Sequence, residues 1–296
     1  MRPSAAGLWL LAARPKTLPA AAAPVIAGMG LAAHHQVFAA GPAAAALVGA
    51  LLIQVATNLA NDYFDFVKGS DTEARVGPTR VTQAGLLSPE AVKRGMIVVL
   101  GAALLNGAYL VAVGGWPILI VGLASLVCAV AYTGGPFPLA YHGLGDLFVF
   151  VFFGLVAVAG TYWVQALELV PGALLAGAGL GAFSTAILVV NNLRDRETDA
   201  AAGKRTLAVR WGDRATVAEY VVCVLVAGLV PVVGVVAFAW PAWVILALVG
   251  VFAAAPALRL VTGFTDRRDL NPALGGTAKG VGLYGLGMAA GFWLGS

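Results

Sequence analysis

The chain has 296 residues, 60% of them hydrophobic and only 11% charged, whereas a soluble globular domain carries about 25% charged residues. With a mean hydropathy of +0.89, this composition excludes an ordinary soluble domain and predicts one all-α integral membrane domain over 1–296. The net charge of +4 is assigned to cations beside anionic lipid, not to nucleic-acid binding.

The N-terminus carries Arg2 before an apolar stretch, but Arg14-Pro15-Lys16 follows at once, so no cleaved signal peptide is expected. The first uncharged run breaks at His34-His35-Gln36 and Gly41-Pro42, which predicts helices over 18–38 and 43–66. The next run divides at Gly114-Gly115-Trp116-Pro117 and ends at Gly134-Gly135-Pro136-Phe137-Pro138, giving 92–113 and 117–135. Helices over 145–167, 171–194, 216–238, 242–261 and 277–295 complete the chain, the third and fourth of these parted by Trp240-Pro241. A span takes about 20 apolar residues, so the pattern predicts about nine transmembrane helices. The runs lack the period-two alternation of a barrel. Cys128 and Cys223 fall mid-helix as small apolar residues, with no disulfide or metal spacing.

With the N-terminus in the cytoplasm, nine crossings put all 18 Lys and Arg in or beside the inner segments, as the positive-inside rule requires. Five of the seven Trp then fall near the outer interface. His34 and His35 lie at that end as interfacial filler. Of the 14 Asp and Glu, only Glu168 is expected outside. The rule does not account for that bias of acids.

Six of those acids fall in two clusters. One closes the second helix with Asn61-Asp62-Tyr-Phe-Asp65-Phe-Val-Lys68-Gly-Ser-Asp71. The other closes the sixth with Asn191-Asn192-Leu-Arg194-Asp195-Arg196-Glu197-Thr-Asp199. Asn61 and Asp65 are four apart, as are Asn191 and Asp195, so each pair shares a helix face. The copies are offset by 130 residues (191 − 61 and 195 − 65) and emerge on the same side. Helix capping explains them badly, because Asp near a helix C-terminus opposes the dipole. Carboxylates in an apolar region cost about 2.5–3.5 kcal/mol each. Asn and Asp supply hard oxygens suited to Mg²⁺, which keeps waters and bridges one or two carboxylates to substrate phosphates. Two facing clusters would hold two or more ions around a diphosphate, helped by Lys68, Arg75, Arg80, Arg194, Lys204 and Arg205.

These motifs resemble the paired Asp-rich motifs of the UbiA superfamily of intramembrane prenyltransferases. Further stretches are similar to its 1,4-dihydroxy-2-naphthoate prenyltransferase branch, in menaquinone biosynthesis: Arg14-Pro-Lys16-Thr-Leu-Pro-Ala-Ala, Asp65-Phe-Val-Lys68-Gly-Ser-Asp71 with Gly77-Pro-Thr-Arg80, Tyr132-Thr-Gly-Gly-Pro-Phe-Pro-Leu-Ala-Tyr141 with Gly143-Leu-Gly-Asp146, and Asp199-Ala-Ala-Ala-Gly-Lys204-Arg205-Thr-Leu. The resemblance runs from about residue 14 to 212. The chain departs from the superfamily at Gly69, where the first motif often repeats an acid, and at Asp146, where the branch usually has Glu.

The resemblance implies a helical bundle with a central cavity, in a bacterial cytoplasmic (inner) membrane, its active site facing the cytoplasm. It implies Mg-dependent transfer from a polyprenyl diphosphate to 1,4-dihydroxy-2-naphthoate, releasing diphosphate and CO₂ and giving demethylmenaquinol. No obligatory protein partner is implied. The expected metal ligands are Asn61, Asp62, Asp65, Asp71, Asn191, Asp195 and Asp199. Asp65, Asp195 and Tyr132 are the expected catalytic residues, Tyr132 shielding an allylic cation with its π face. Arg14, Lys16, Lys68, Arg80, Lys204 and Arg205 are expected to bind the diphosphate or the acceptor carboxylate. Rival readings are other aromatic acceptors, such as 4-hydroxybenzoate or homogentisate, and a transporter of a cation or Mg–anion complex. Transporters place such residues near the midplane on broken helices, whereas these lie at helix ends.

Overall fold

The computed structural model describes residues 4–70 and 76–296. Among them the chain is helical, without strands. The helices are α1 (Ala5–Ala13), α2 (Leu18–His34), α3 (Ala40–Val67), α4 (Pro89–Gly114) and α5 (Trp116–Ala131). They continue with α6 (Gly145–Ala166), α7 (Pro171–Ala201), α8 (Leu207–Ala237), α9 (Ala242–Gly263) and α10 (Leu270–Leu294).

Helices α2 to α10 occupy the nine places expected. Only 7 described spans are long and apolar enough by themselves to cross a membrane, one being α1 and α2 taken together. Helix α5 is shorter, and α10 is not among the seven, so the count of nine is not established. Helix α1 was not anticipated. Ser4 caps it by accepting from the Gly7 amide, and Arg14, in the left-handed region at φ 52°, ends it. The turn at Arg14 thus folds the Arg14-Pro15-Lys16 motif between two helices.

The largest revision concerns α7. Its expected end was 194, but it runs to Ala201, so Asn191, Asp195 and Asp199 ride on one continuous helix at i, i+4 and i+8. Within it the buried Arg194 guanidinium pairs with Asp195 across a 2.7 Å contact. Helix α7 is also the centre of the bundle, with 72% of its apolar stretch buried against 11% for α4. Phe183, Val189, Tyr220 and Tyr284 build the core around it.

Small residues permit this closeness. A side chain at Gly154 of α6 would collide with the backbone of Gly177 and Gly181 on α7, and one at Gly30 of α2 with Ala289 of α10. Large apolar residues on the opposite faces, including Leu105, Val127, Val236 and Phe252, are exposed, as a lipid-facing surface requires.

Candidate active site

The C-terminal ends of α3 and α7 meet at one cavity of about 740 Å³. Asn61 and Asp65 line it from α3, and Asn191, Asp195 and Asp199 from α7. Much of the remaining wall is apolar, with Ile53, Leu110, Ile118 and Phe152. The two sequence copies thus form the polar end of a single, mostly apolar chamber.

Lys204 joins the motifs. Its Nζ lies 3.1 Å from Asp65 and 3.8 Å from Asp199. Asp65, 1% exposed, also pairs with Arg80 at 3.0 Å and accepts from the Tyr141 hydroxyl at 3.2 Å. Tyr141 in turn shares a 2.5 Å hydrogen bond with Ser70, and its ring stands beneath Lys68 and Lys204 at 4.8 and 5.1 Å. Burial and the Asp65 carboxylate push the Tyr141 phenol well above its ordinary value, so at neutral pH it stays a donor to Asp65. Burial pulls the Lys68 ammonium below its usual range.

Among the described residues, no three His, Cys, Asp or Glu side chains converge as a ready-made metal cage. The oxygens instead come from a few Asp and Asn side chains on two facing helix ends. That set suits Mg²⁺, which is seldom caged by protein alone and completes its shell with water and substrate phosphate. The cations already gathered beside Asp65 and Asp199 suit an incoming polyanion as well.

The sequence matches the UbiA prenyltransferase family over residues 21–274. The chain belongs to that family. As a UbiA-family member it is an intramembrane prenyltransferase, and polyprenyl transfer is its reaction class. It is 42% identical over 228 residues to the 1,4-dihydroxy-2-naphthoate octaprenyltransferase of Escherichia coli (strain K12), covering 75% of this chain and 74% of that protein. It is 39% identical over 284 residues to the protein of the same name from Mycobacterium tuberculosis, covering 95% of each. The structure of a UbiA homolog from Archaeoglobus fulgidus bound to GPP and Mg²⁺ superposes with a TM-score of 0.66 at 14% identity, covering 97% of this chain and 99% of that one. The fold is therefore the UbiA fold.

Within this UbiA prenyltransferase, several expected site residues take positions the sequence did not foretell. Asp62 does not line the cavity: its two oxygens accept from the amides of Val81 and Thr82 at 3.1 Å each. These bonds tie it to the segment that presents Arg80. Both oxygens of Asp195 are held by Arg194, at 2.8 and 2.7 Å, although Asp195 still lines the cavity. Arg194 also binds Asn191 at 2.8 Å and Asn271 of α10 at 3.3 Å. It is a brace within the site and does not face the cavity as a free cation. Lys16 and Arg205 are exposed and do not line the cavity. Lys68 also stays off the wall, its Nζ donating to the Thr133 carbonyl at 2.6 Å. Arg14, Arg80 and Lys204 do line it, as does Tyr132. Asp71 and Arg75 lie outside the described residues.

His35 pairs with Tyr162 at 2.7 Å, and neither His34 nor His35 lines the cavity. His142 stacks on Phe137 at 3.7 Å, outside the cavity wall. The residues missed were Tyr141, Thr133 and Asn192. Thr133 donates to Asn61 at 2.9 Å. Tyr141 ends a motif stretch visible in the sequence, but nothing in its spacing pointed at Asp65.

Proposed function

We propose that this protein transfers a polyprenyl group from its diphosphate to 1,4-dihydroxy-2-naphthoate in a Mg²⁺-dependent reaction. The observation that carries the reading is a single chamber with both Asn/Asp motifs at one end and an apolar wall beyond them. The polar end suits a diphosphate and the apolar part suits an isoprenoid tail. The naphthoate acceptor is supported by relatives of that name over as much as 95% of the chain.

Asn61, Asp65, Asn191, Asp195 and Asp199 would hold the Mg²⁺ together with the donor diphosphate. The ions supply charge neutralisation for a leaving diphosphate. Arg80 and Lys204 engage its oxygens, exchanging part of their pairing with Asp65 for phosphate. The allylic C–O bond breaks with its electron pair leaving on the diphosphate. Tyr132 presents its ring to the remaining cation. The apolar wall excludes water that would quench it. A ring carbon of the acceptor forms the new C–C bond. The carboxylate departs as CO₂, and the electron pair of its bond restores the aromatic ring as demethylmenaquinol. Arg14, on the cavity wall, is the cation assigned to the acceptor carboxylate.

The lysines and arginines favour a site facing the cytoplasmic side of a bacterial membrane. The test offers purified protein a labelled polyprenyl diphosphate with Mg²⁺ and a panel of aromatic acceptors. The naphthoate should give product and stoichiometric CO₂. Product from 4-hydroxybenzoate or homogentisate but none from the naphthoate would refute the acceptor. Flux of Mg²⁺ or diphosphate in liposomes without any product would favour transport.

A further inference from the structure

Two polar groups on the cavity wall have no partner among the described residues. They are the Gln54 carboxamide oxygen Oε1 on α3 and the Ser184 hydroxyl on α7. Gln54 is 7% exposed and Ser184 2%. The two positions are equivalent in the duplicated halves. Each lies 11 residues before its motif Asp (65 − 54 and 195 − 184), with the same offset of 130 residues between copies. At 1.5 Å per residue, both sit about 16 Å along their helices from that Asp, on the side of the apolar chamber.

The orientation of the Gln54 amide follows from its neighbours. The Asn58 amide nitrogen donates to the Ala13 carbonyl at 2.9 Å and to the Thr17 hydroxyl at 3.0 Å, so the Asn58 oxygen is left as an acceptor. The Thr17 hydroxyl spends its hydrogen on the Arg14 carbonyl at 3.0 Å, so its oxygen accepts as well. Only the nitrogen of Gln54 can face these two acceptors, and it does, at 3.4 and 3.1 Å. Reversing the amide would set oxygen against oxygen twice. The network therefore holds Oε1 as an acceptor lacking a donor. A buried polar group left so costs about 1–3 kcal/mol, and here the same condition recurs at the matching position of the other half.

We infer that Gln54 and Ser184 recognise the ring hydroxyls of the aromatic acceptor, Gln54 Oε1 accepting a hydrogen bond from one and Ser184 Oγ pairing with another. The inference rests on the proposed function, since it needs a hydroxylated aromatic substrate in this chamber. Neither side chain belongs to the Asn/Asp motifs. A diphosphate would meet no attraction at a carbonyl oxygen, and an isoprenoid tail would leave both groups unpaired.

The test compares wild type, Gln54→Met and Ser184→Ala in purified form with a labelled polyprenyl diphosphate, Mg²⁺ and the naphthoate. Each variant should raise the acceptor KM roughly tenfold, the loss of one hydrogen bond that a ligand had satisfied. Donor KM and half-saturating Mg²⁺ should stay unchanged. Monomethyl ethers of the acceptor, which keep the ring electron-rich, should include one that loses about as much on wild type and nothing further on Gln54→Met. Ser184→Ala removes no hydrogen bond among the described residues, so its melting temperature should match wild type, which guards against misfolding of Gln54→Met. Unchanged acceptor KM in both variants, or an equal loss for donor and acceptor, overturns the inference. Wild-type turnover is measured first. Absence of naphthoate product refutes the proposed function and this inference with it, whereas wild-type turnover with unchanged variants refutes this inference alone.

Discussion

Replacing Asp65 by Asn keeps the shape of the side chain and removes its charge. In the structure that charge faces Arg80 at 3.0 Å and Lys204 at 3.1 Å, and the side chain is 2% exposed. Two consequences follow, of different size. Removing one partner from a buried ion pair costs about 3–5 kcal/mol of stability, here moderated because Lys204 keeps Asp199 within 3.8 Å. For the reaction, a neutral amide binds a divalent ion weakly, so transition-state charge at the diphosphate loses a stabilising partner. A loss of about 4 kcal/mol there lowers turnover roughly a thousandfold. The assay is release of labelled diphosphate and formation of prenylated naphthoate under saturating donor, over a Mg²⁺ series. The melting temperature is followed in the same detergent. An Asp65→Asn protein that stays folded, yet turns over at more than roughly a tenth of the wild-type rate at ordinary Mg²⁺, would refute the assignment of Asp65 to the metal and diphosphate. The pairing with cations would then be its whole task.

Arg194→Met should strand the Asp195 carboxylate in the core and lower stability by about 3–5 kcal/mol, read as a fall in melting temperature. An unchanged melting point would show that Asp195 is not held as the 2.7 Å contact implies. Asp62→Ala should loosen the segment that carries Arg80 and lower the melting temperature. Half-saturating Mg²⁺ should not move, and a large rise in it would return Asp62 to the metal. Tyr141→Phe keeps the ring beneath Lys68 and Lys204 but deletes the donor to Asp65, so turnover should fall roughly tenfold. Full activity would make that hydrogen bond idle. The folded Tyr141 phenol lies above its ordinary value of 10.0. Its contribution to stability is therefore present below about pH 10 and is lost as pH rises through the folded value. An alkaline titration of tyrosinate absorbance, with Tyr141→Phe as the blank, checks that direction.

The fold class was legible because a membrane span must be long and uncharged, and turn-forming pairs mark its ends. The duplication at 130 residues, and the sharing of a face by Asn61 with Asp65 and by Asn191 with Asp195, could be read from spacing alone. The end of α7 could not. The helix runs past 194 with Arg194 buried against Asp195, whereas one-dimensional pattern treats that arginine as a cation free to help at a diphosphate. The same holds for Asp62, whose neighbours in the chain mark it as part of a metal motif. Its side chain turns instead to amides 19 and 20 residues away.

The sequence by itself determined that this chain lives in a membrane, that it is helical, that it carries two matched Asn/Asp helix ends, and which family it joins. Those properties depend on composition and local period, which are written along the chain. Tertiary structure decided which of the charged residues meet. It gathered Asp65, Asp199, Arg80, Lys204 and Tyr141, and left Lys16 and Arg205 at the surface. It also set the Gln54 oxygen and the Ser184 hydroxyl on the chamber wall, each without a partner among the described residues. Such pairings depend on which helix faces pack together and on where each buried polar group finds a partner, and neither is a property of any single segment.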